Sequence, residues 1–327
     1  MIRRRLDERP RAKQRALSTL GLILVALGCD DAMMDRSLLE GPRVLGAKAE
    51  VEGDPSRAWV NPGDDVRVSW LVAEPESNSE VSWSFTVCEA ESTVRGLPYC
   101  ADEPFVTISS EGVQAGAPSF SFTVPEAESL LGNEDLLVAG GFCFGSEIRA
   151  RGPGDDPESL DCESGGELAR ATLHVGIIQG ERGNANPSIE EAELRFAGEP
   201  WEPWPLEADP SAGCNQAPIE LPRVAAGSTN HVIEATIPEK DRETLERDSS
   251  RAPAHEVYQL SHVVSAGELE RPFSVIDDDA PDPRIELLWD APKGASAGGS
   301  IVRFFFVARD LRGGADFGVR AVCVEPE

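Results

Sequence analysis

Apolar side chains that recur at every second position constrain this chain more than any other feature. In "VSWSFTV" Val81, Trp83, Phe85 and Val87 alternate with Ser82, Ser84 and Thr86, and in "DVRVSW" Val66, Val68 and Trp70 alternate with Arg67 and Ser69. "SFSFTV" repeats the pattern with Phe120, Phe122 and Val124, while "ATLHVGI" sets Leu173, Val175 and Ile177 on one face and His174 on the other. Successive side chains of a strand point to opposite faces, so this is the period of a half-buried strand. Clusters of Pro, Gly, Asn and Asp separate the runs, and strong helix patterns are few, which predicts an all-β sandwich. One short polar helix is expected at "PEKDRETLERD", where proline can open it.

With 327 residues the chain is long enough for two domains. The reading divides it into a signal segment (1–28), a flexible tether (29–42), a first sandwich (43–178), a polar Gly/Asn-rich linker "QGERGNANP" (179–187) and a second sandwich (188–327). The second sandwich closes with the hairpin "SIVRFFFVARDLRGGADFGVRAVCV", in which Val302, Phe304, Phe306 and Ala308 share a face. Arg312, Gly313 and Gly314 supply its turn.

The N-terminus carries an export signature. Seven basic side chains within the first 15 residues precede an apolar run from Ala16 to Leu27. A run of 12 residues is too short to span a hydrocarbon core, which needs roughly 20 in a helix, so it reads as a secretion signal. The stretch "LVALGCDD" resembles a bacterial lipobox, although Ala26 and Leu27 stand in swapped order relative to the usual pattern. The resemblance implies that Cys29 is acylated, carrying diacylglycerol and palmitate-type chains, and becomes the mature N-terminus. Partners and location follow as expectations: a membrane reached through that lipid anchor, and the cell envelope, at the outer membrane or cell surface.

The other six cysteines, Cys88, Cys100, Cys143, Cys162, Cys214 and Cys323, read as three disulfides of an exported chain. Sequence-local pairing is favoured, 88 with 100 and 143 with 162, which leaves 214 with 323. The chain contains no CxxC pair, which argues against zinc.

A wider resemblance rests on "RVLGAKAE", "VNPGDDVRV", "NANP" and "VARDLRGGADFGVRAVCV". These stretches look like lipoproteins of myxobacterial type, whose domains are Ig-like or PKD-like sandwiches. The resemblance implies two Ig-like β-sandwich domains in tandem after a lipoprotein signal peptide and a short tether, the second also PKD-like in its final hairpin. It implies architecture and no activity. Trp83 fits the core tryptophan of an Ig domain, but no cysteines sit where the inter-sheet disulfide requires them.

Charge narrows the partners. The net charge is −28, and removing residues 1–28, with seven basic and two acidic side chains, takes it to −33. That balance argues against nucleic acid and leaves an envelope protein or a polysaccharide as the expected partner.

No cofactor is implied, and calcium is the one candidate. "DDDAPDP" groups Asp277, Asp278, Asp279 and Asp282, oxygen ligands of the type calcium takes, without the glycine and distal glutamate of an EF-hand. Trp201 and Trp204 in "EPWEPWPLE" are candidate stacking surfaces for a ligand, with burial as a cap over the sandwich the favoured alternative. "HEVYQ" has Gln259 where the zinc-protease motif has its second histidine, and His262 lies seven residues after His255. "CESGGEL" around Ser164 imitates a serine-protease stretch and "GFCFG" around Cys143 a nucleophile elbow, each without its partners. The reading is therefore a non-enzymatic binding, adhesion or spacer protein. The alternatives are a calcium- or glycan-dependent adhesion module and, in another class, a secreted hydrolase using His255, Glu256 or Ser164.

Overall fold

The computed structural model describes residues 36–75, 80–91, 98–100, 103–130, 135–149, 160–178, 183–189, 194–237, 242–245, 254–280 and 283–327. Cys29 and Asp282 lie outside them. Among the described residues no helix is long and apolar enough to cross a membrane.

The first sandwich contains β1 (Arg43–Val51), β2 (Asp65–Ala73), β3 (Glu80–Glu91), β4 (Val106–Ser109), β5 (Ser119–Thr123), β6 (Asp135–Phe144) and β7 (Glu167–Gly176). One sheet runs β1-β2-β5; the other runs β7-β6-β3, with β4 along the far side of β3. All these pairings are antiparallel. The alternating residues of the four sequence runs meet between the sheets, where Trp70 stacks on Phe85 at 4.7 Å between ring centroids and Trp83 on Phe120 at 5.2 Å. Such pairs contribute about 0.5–1.5 kcal/mol beyond their burial.

The second sandwich contains β8 (Leu194–Phe196), β9 (Arg223–Ala225), β10 (His231–Thr236), β11 (Tyr258–Val264), β12 (Phe273–Ile276), β13 (Arg284–Asp290), β14 (Ser300–Arg309) and β15 (Ala315–Glu325). One of its sheets centres on β8-β10-β13; the other runs β9-β15-β14-β11-β12. The β9–β15 pairing is parallel. Val302, Phe304, Phe306 and Ala308 enter this core as the period predicts.

The opposite face of the same hairpin is also buried. Phe305, Val307, Val319, Ala321 and Cys323 form a third apolar cluster with Leu71 and Ala73 of the first sandwich, and with Leu39, Trp204 and Leu221. The two sandwiches thus share a core of their own, and residues 36–327 form one compact unit. Polar bonds fix the register of this contact. Lys48 pairs with Asp316 at 3.2 Å, Arg309 donates to the Leu45 carbonyl at 2.9 Å and the Trp59 indole donates to the Arg312 carbonyl at 2.9 Å.

Three local expectations give way to these contacts. The end of the linker is fastened: Asn184 and Asn186 are buried, Asn184 donating to Asp310 at 2.6 Å and Asn186 to the Ala49 carbonyl at 2.8 Å, while the N–H of Ala315 donates to Asn186 at 3.1 Å. The end of the tether is fastened too, because Ser37 and Leu39 bond through their backbones to Val264 and both are buried. In the helix stretch, Thr244–Leu245 instead pairs with Ala254–His255. There the Arg242 guanidinium is drawn into the core edge by the carbonyls of Asp277 and Glu256, and Glu243 turns toward Arg312.

Candidate functional site

A cleft of about 330 Å³ opens where the sandwiches meet. Residues 44–47 of β1 form one wall and residues 170–174 of β7 the other; Arg309 and the turn through Leu311, Gly313 and Gly314 close its end. The strand β1 can approach this junction because of a bulge between Val44 and Gly46. A Cβ at Gly46 would lie 2.8 Å from Cγ1 of Val307.

The turn is held under strain. Leu311 adopts φ of 62°, a left-handed conformation disfavoured for a branched residue, and the residue is 62% exposed. Asp310 imposes this geometry by accepting the N–H groups of Arg312 at 2.7 Å and Gly314 at 2.9 Å. Beneath the turn, Arg312 bridges Glu243 and the buried Glu256, and its guanidinium lies 5.4 Å from the Trp59 ring centre. Burial, with Glu243 and Asp310 nearby, outweighs Arg312 and raises the pKa of Glu256 to about 7. Burial likewise pushes Asp310 upward.

The lining carries one sign of charge. Arg170, His174 and Arg309 line the cleft and, among the described residues, no Asp or Glu does, in a chain with 58 acidic residues. His174 is bonded to Asp135 at 2.6 Å, and that bond raises its pKa. Arg309 donates to Ser261 and Leu45 but forms no ion pair among the described residues, and burial lowers its pKa. Trp70 contributes a buried indole whose N–H has no partner among the described residues. The site thus offers hydrogen-bond donors and positive charge beside apolar walls, a chemistry that suits an anionic group on an apolar frame.

The residues singled out in the sequence lie elsewhere. Trp201 and Trp204 are 1% and 3% exposed, so neither indole presents a face to a ligand; Trp201 packs on Phe304 at 5.0 Å and donates to the Ala321 carbonyl. Burial is the outcome because each ring sits in an apolar cluster. Asp277 and Asp279 are exposed on a turn after β12, and the carbonyls of Asp277 and Asp278 accept from Arg242 and from the His255 N–H. Among the described residues no three His, Cys, Asp or Glu side chains group as metal ligands.

Ser164 and His174 do not meet. Ser164 lies before β7, and seven strand steps from Glu167 to His174 cover about 23 Å at roughly 3.3 Å per residue. His262 is buried on β11 against Ser274 at 3.1 Å, burial pushing its pKa down to about 3. Cys143 is half of a disulfide. The bridges are Cys88–Cys100, Cys143–Cys162 and Cys214–Cys323. They mark an exported protein folded in an oxidising compartment.

Sequence reasoning passed over Leu311, Asn184 and Arg309, and took Arg312 only as part of a turn. The one available signal was the run "FFFVA", apolar at consecutive positions, which calls for cover on both faces of its sheet.

Comparison with known proteins adds little to this geometry. No family model matches the chain, and no curated protein does. Among solved structures it is similar to a marsupial T cell receptor at 9% identity, over 86% of this chain and 74% of that one, with a TM-score of 0.21. A likeness of that size carries no argument, and the architecture rests on the strand order itself: two-sheet sandwiches, antiparallel but for the β9–β15 pair and Ig-like in form.

Proposed function

We propose that the protein is a non-enzymatic binding module of the cell envelope, anchored at the outer membrane or cell surface by lipid on Cys29, and that it engages an envelope protein or polysaccharide at the cleft between its sandwiches. The cationic lining, free of carboxylates among the described residues, in a chain of net charge −28 is the observation that carries this reading. A surface this acidic repels polyanions in general, so the cleft selects a partner by local complementarity.

The anchor fits the same reading. Seven residues separate Cys29 from Ser37, where the chain is bonded to the second sandwich, so even a fully extended connection of eight steps reaches about 28 Å. That reach keeps the Val264 end of β11 near the membrane.

The test is site-specific photo-crosslinking on intact host cells, from position 311 and, as a control, from the exposed Phe105 near the opposite edge of the first sandwich. The mature N-terminal peptide is weighed in the same sample. The reading expects an acylated Cys29 and an adduct from position 311 that position 105 does not give. Identical adducts from both positions, or none from 311, contradict it.

A further inference from the structure

The strand β12 inverts the usual pattern of a half-buried strand. Such a strand turns polar side chains outward, whereas in "FSVI" the outward positions hold Phe273 and Val275 and an inward one holds Ser274. The inward side fixes this register. Ser274 accepts from Arg271 at 2.9 Å and bonds His262 at 3.1 Å, and Ile276 enters the apolar core. Phe273 is left 51% exposed and Val275 47% exposed, and a one-residue slip that buried them would expel Ile276 from the core.

The same side of β11 receives the end of the N-terminal segment. Phe273 lies opposite Ser261, and the His262 N–H donates to the Pro272 carbonyl at 2.8 Å. Further along β11 the Val264 N–H donates to the Ser37 carbonyl at 2.7 Å, and the Val264 carbonyl accepts from Leu39 at 2.8 Å. Backbone groups alternate sides along a strand, so His262 and Val264 bond toward one side and Ser37 lies in line with β12. The three strand steps from Ser261 to Val264 put Phe273 about 10 Å from that point.

We infer that this edge rests on the bilayer that anchors the protein, with Phe273 and Val275 set among its headgroups. The inference rests on the reading of Cys29 as a lipid anchor and adds which face meets the membrane. The seven residues between Cys29 and Ser37 end beside the exposed pair. A connection that short makes docking effectively intramolecular, so two apolar side chains suffice to set the orientation. The charged neighbours Glu270 and Arg271 pair with each other at 2.9 Å. The net charge of −28 repels anionic lipid, so the surface that fits is one of zwitterionic headgroups. A second copy of this chain is the rival occupant.

The experiment holds the mature full-length chain on phosphatidylcholine vesicles by a histidine tag in place of Cys29, bound to a nickel-chelating lipid. Phosphatidylcholine with a diazirine in its acyl chain is the probe, and lipid adducts are mapped by mass spectrometry after illumination. The inference expects adducts on the peptide holding Phe273 and Val275, and none on the peptide holding Phe105, an exposed aromatic of the first sandwich. Phe273→Ser combined with Val275→Ser lowers the adduct yield by about tenfold or more, because the apolar surface that enters the lipid is gone.

Both side chains are about half exposed, so the thermal melt of the double variant is expected to match that of the natural chain. If it does not, the adduct map of the natural chain decides alone. Adducts on both peptides alike, or none on the β12 peptide, overturn the inference. Self-association that the double substitution abolishes, without lipid adducts, overturns it in favour of a second copy. The tag stands in for the acyl chains, so a failure on vesicles is a failure of the docking face, whereas an unacylated N-terminal peptide from host cells is a failure of the anchor.

Discussion

Glu256 is fully buried and shares the Arg312 guanidinium with Glu243. Its pKa of about 7, against an ordinary 4.5, means that the folded chain keeps this proton over a range in which the unfolded chain has lost it. The group's contribution to stability is therefore complete below pH 4.5 and is lost as pH rises through 7. Asp310, also shifted upward, acts in the same direction. Glu256→Gln keeps the shape and removes the titration. Thermal melts between about pH 5 and pH 8 are expected to fall less steeply in that variant than in the natural chain. Parallel profiles contradict the assignment.

Gly46 gives a second test at this scale, since a side chain there meets the branched Val307 across the junction. Gly46→Val is expected to cost about 1–3 kcal/mol in urea denaturation. Adding Val307→Ala restores part of that loss, as a direct contact requires.

At the scale of elements, the segment ending in Asn186 behaves as structure. Its side chain satisfies the Ala49 and Pro55 carbonyls and the Ala315 N–H, joining both sandwiches. Asn186→Ala leaves these groups unpaired in a buried place, so the expected loss is about 1–3 kcal/mol by chemical denaturation. A loss near zero returns the segment to the status of a plain linker.

The sequence reads this segment as loop because polar composition reports only that a stretch lacks an apolar period. Whether its amides find partners depends on chain that is distant in sequence. The apolar faces of the strands were legible for the opposite reason: Val81, Trp83, Phe85 and Val87 state the face that enters the core, although Ser82, Ser84 and Thr86 on the other face of β3 are buried as well and that strand is not half-buried as its period predicts. Phe305 and Val307 sit in a run with no polar alternate, and one-face reasoning accounts for only half of it. The site was almost illegible, since its charges come from β7 and β14, far apart in sequence and each ordinary alone. The disulfides were legible because the two sequence-local pairs leave only one pairing for the remaining two cysteines.

At the scale of the molecule, the shared core between the sandwiches makes the cleft a fixed feature. If the domains moved freely, the walls from β1 and β7 and the turn carrying Leu311 would not hold one geometry, and selection by the cleft would be lost. Differential scanning calorimetry of the mature chain tests this most directly. The account predicts one cooperative transition, with calorimetric and van't Hoff enthalpies in agreement, that Asn186→Ala shifts to lower temperature as a whole. Two resolved transitions, only one of them moved by the substitution, would contradict it.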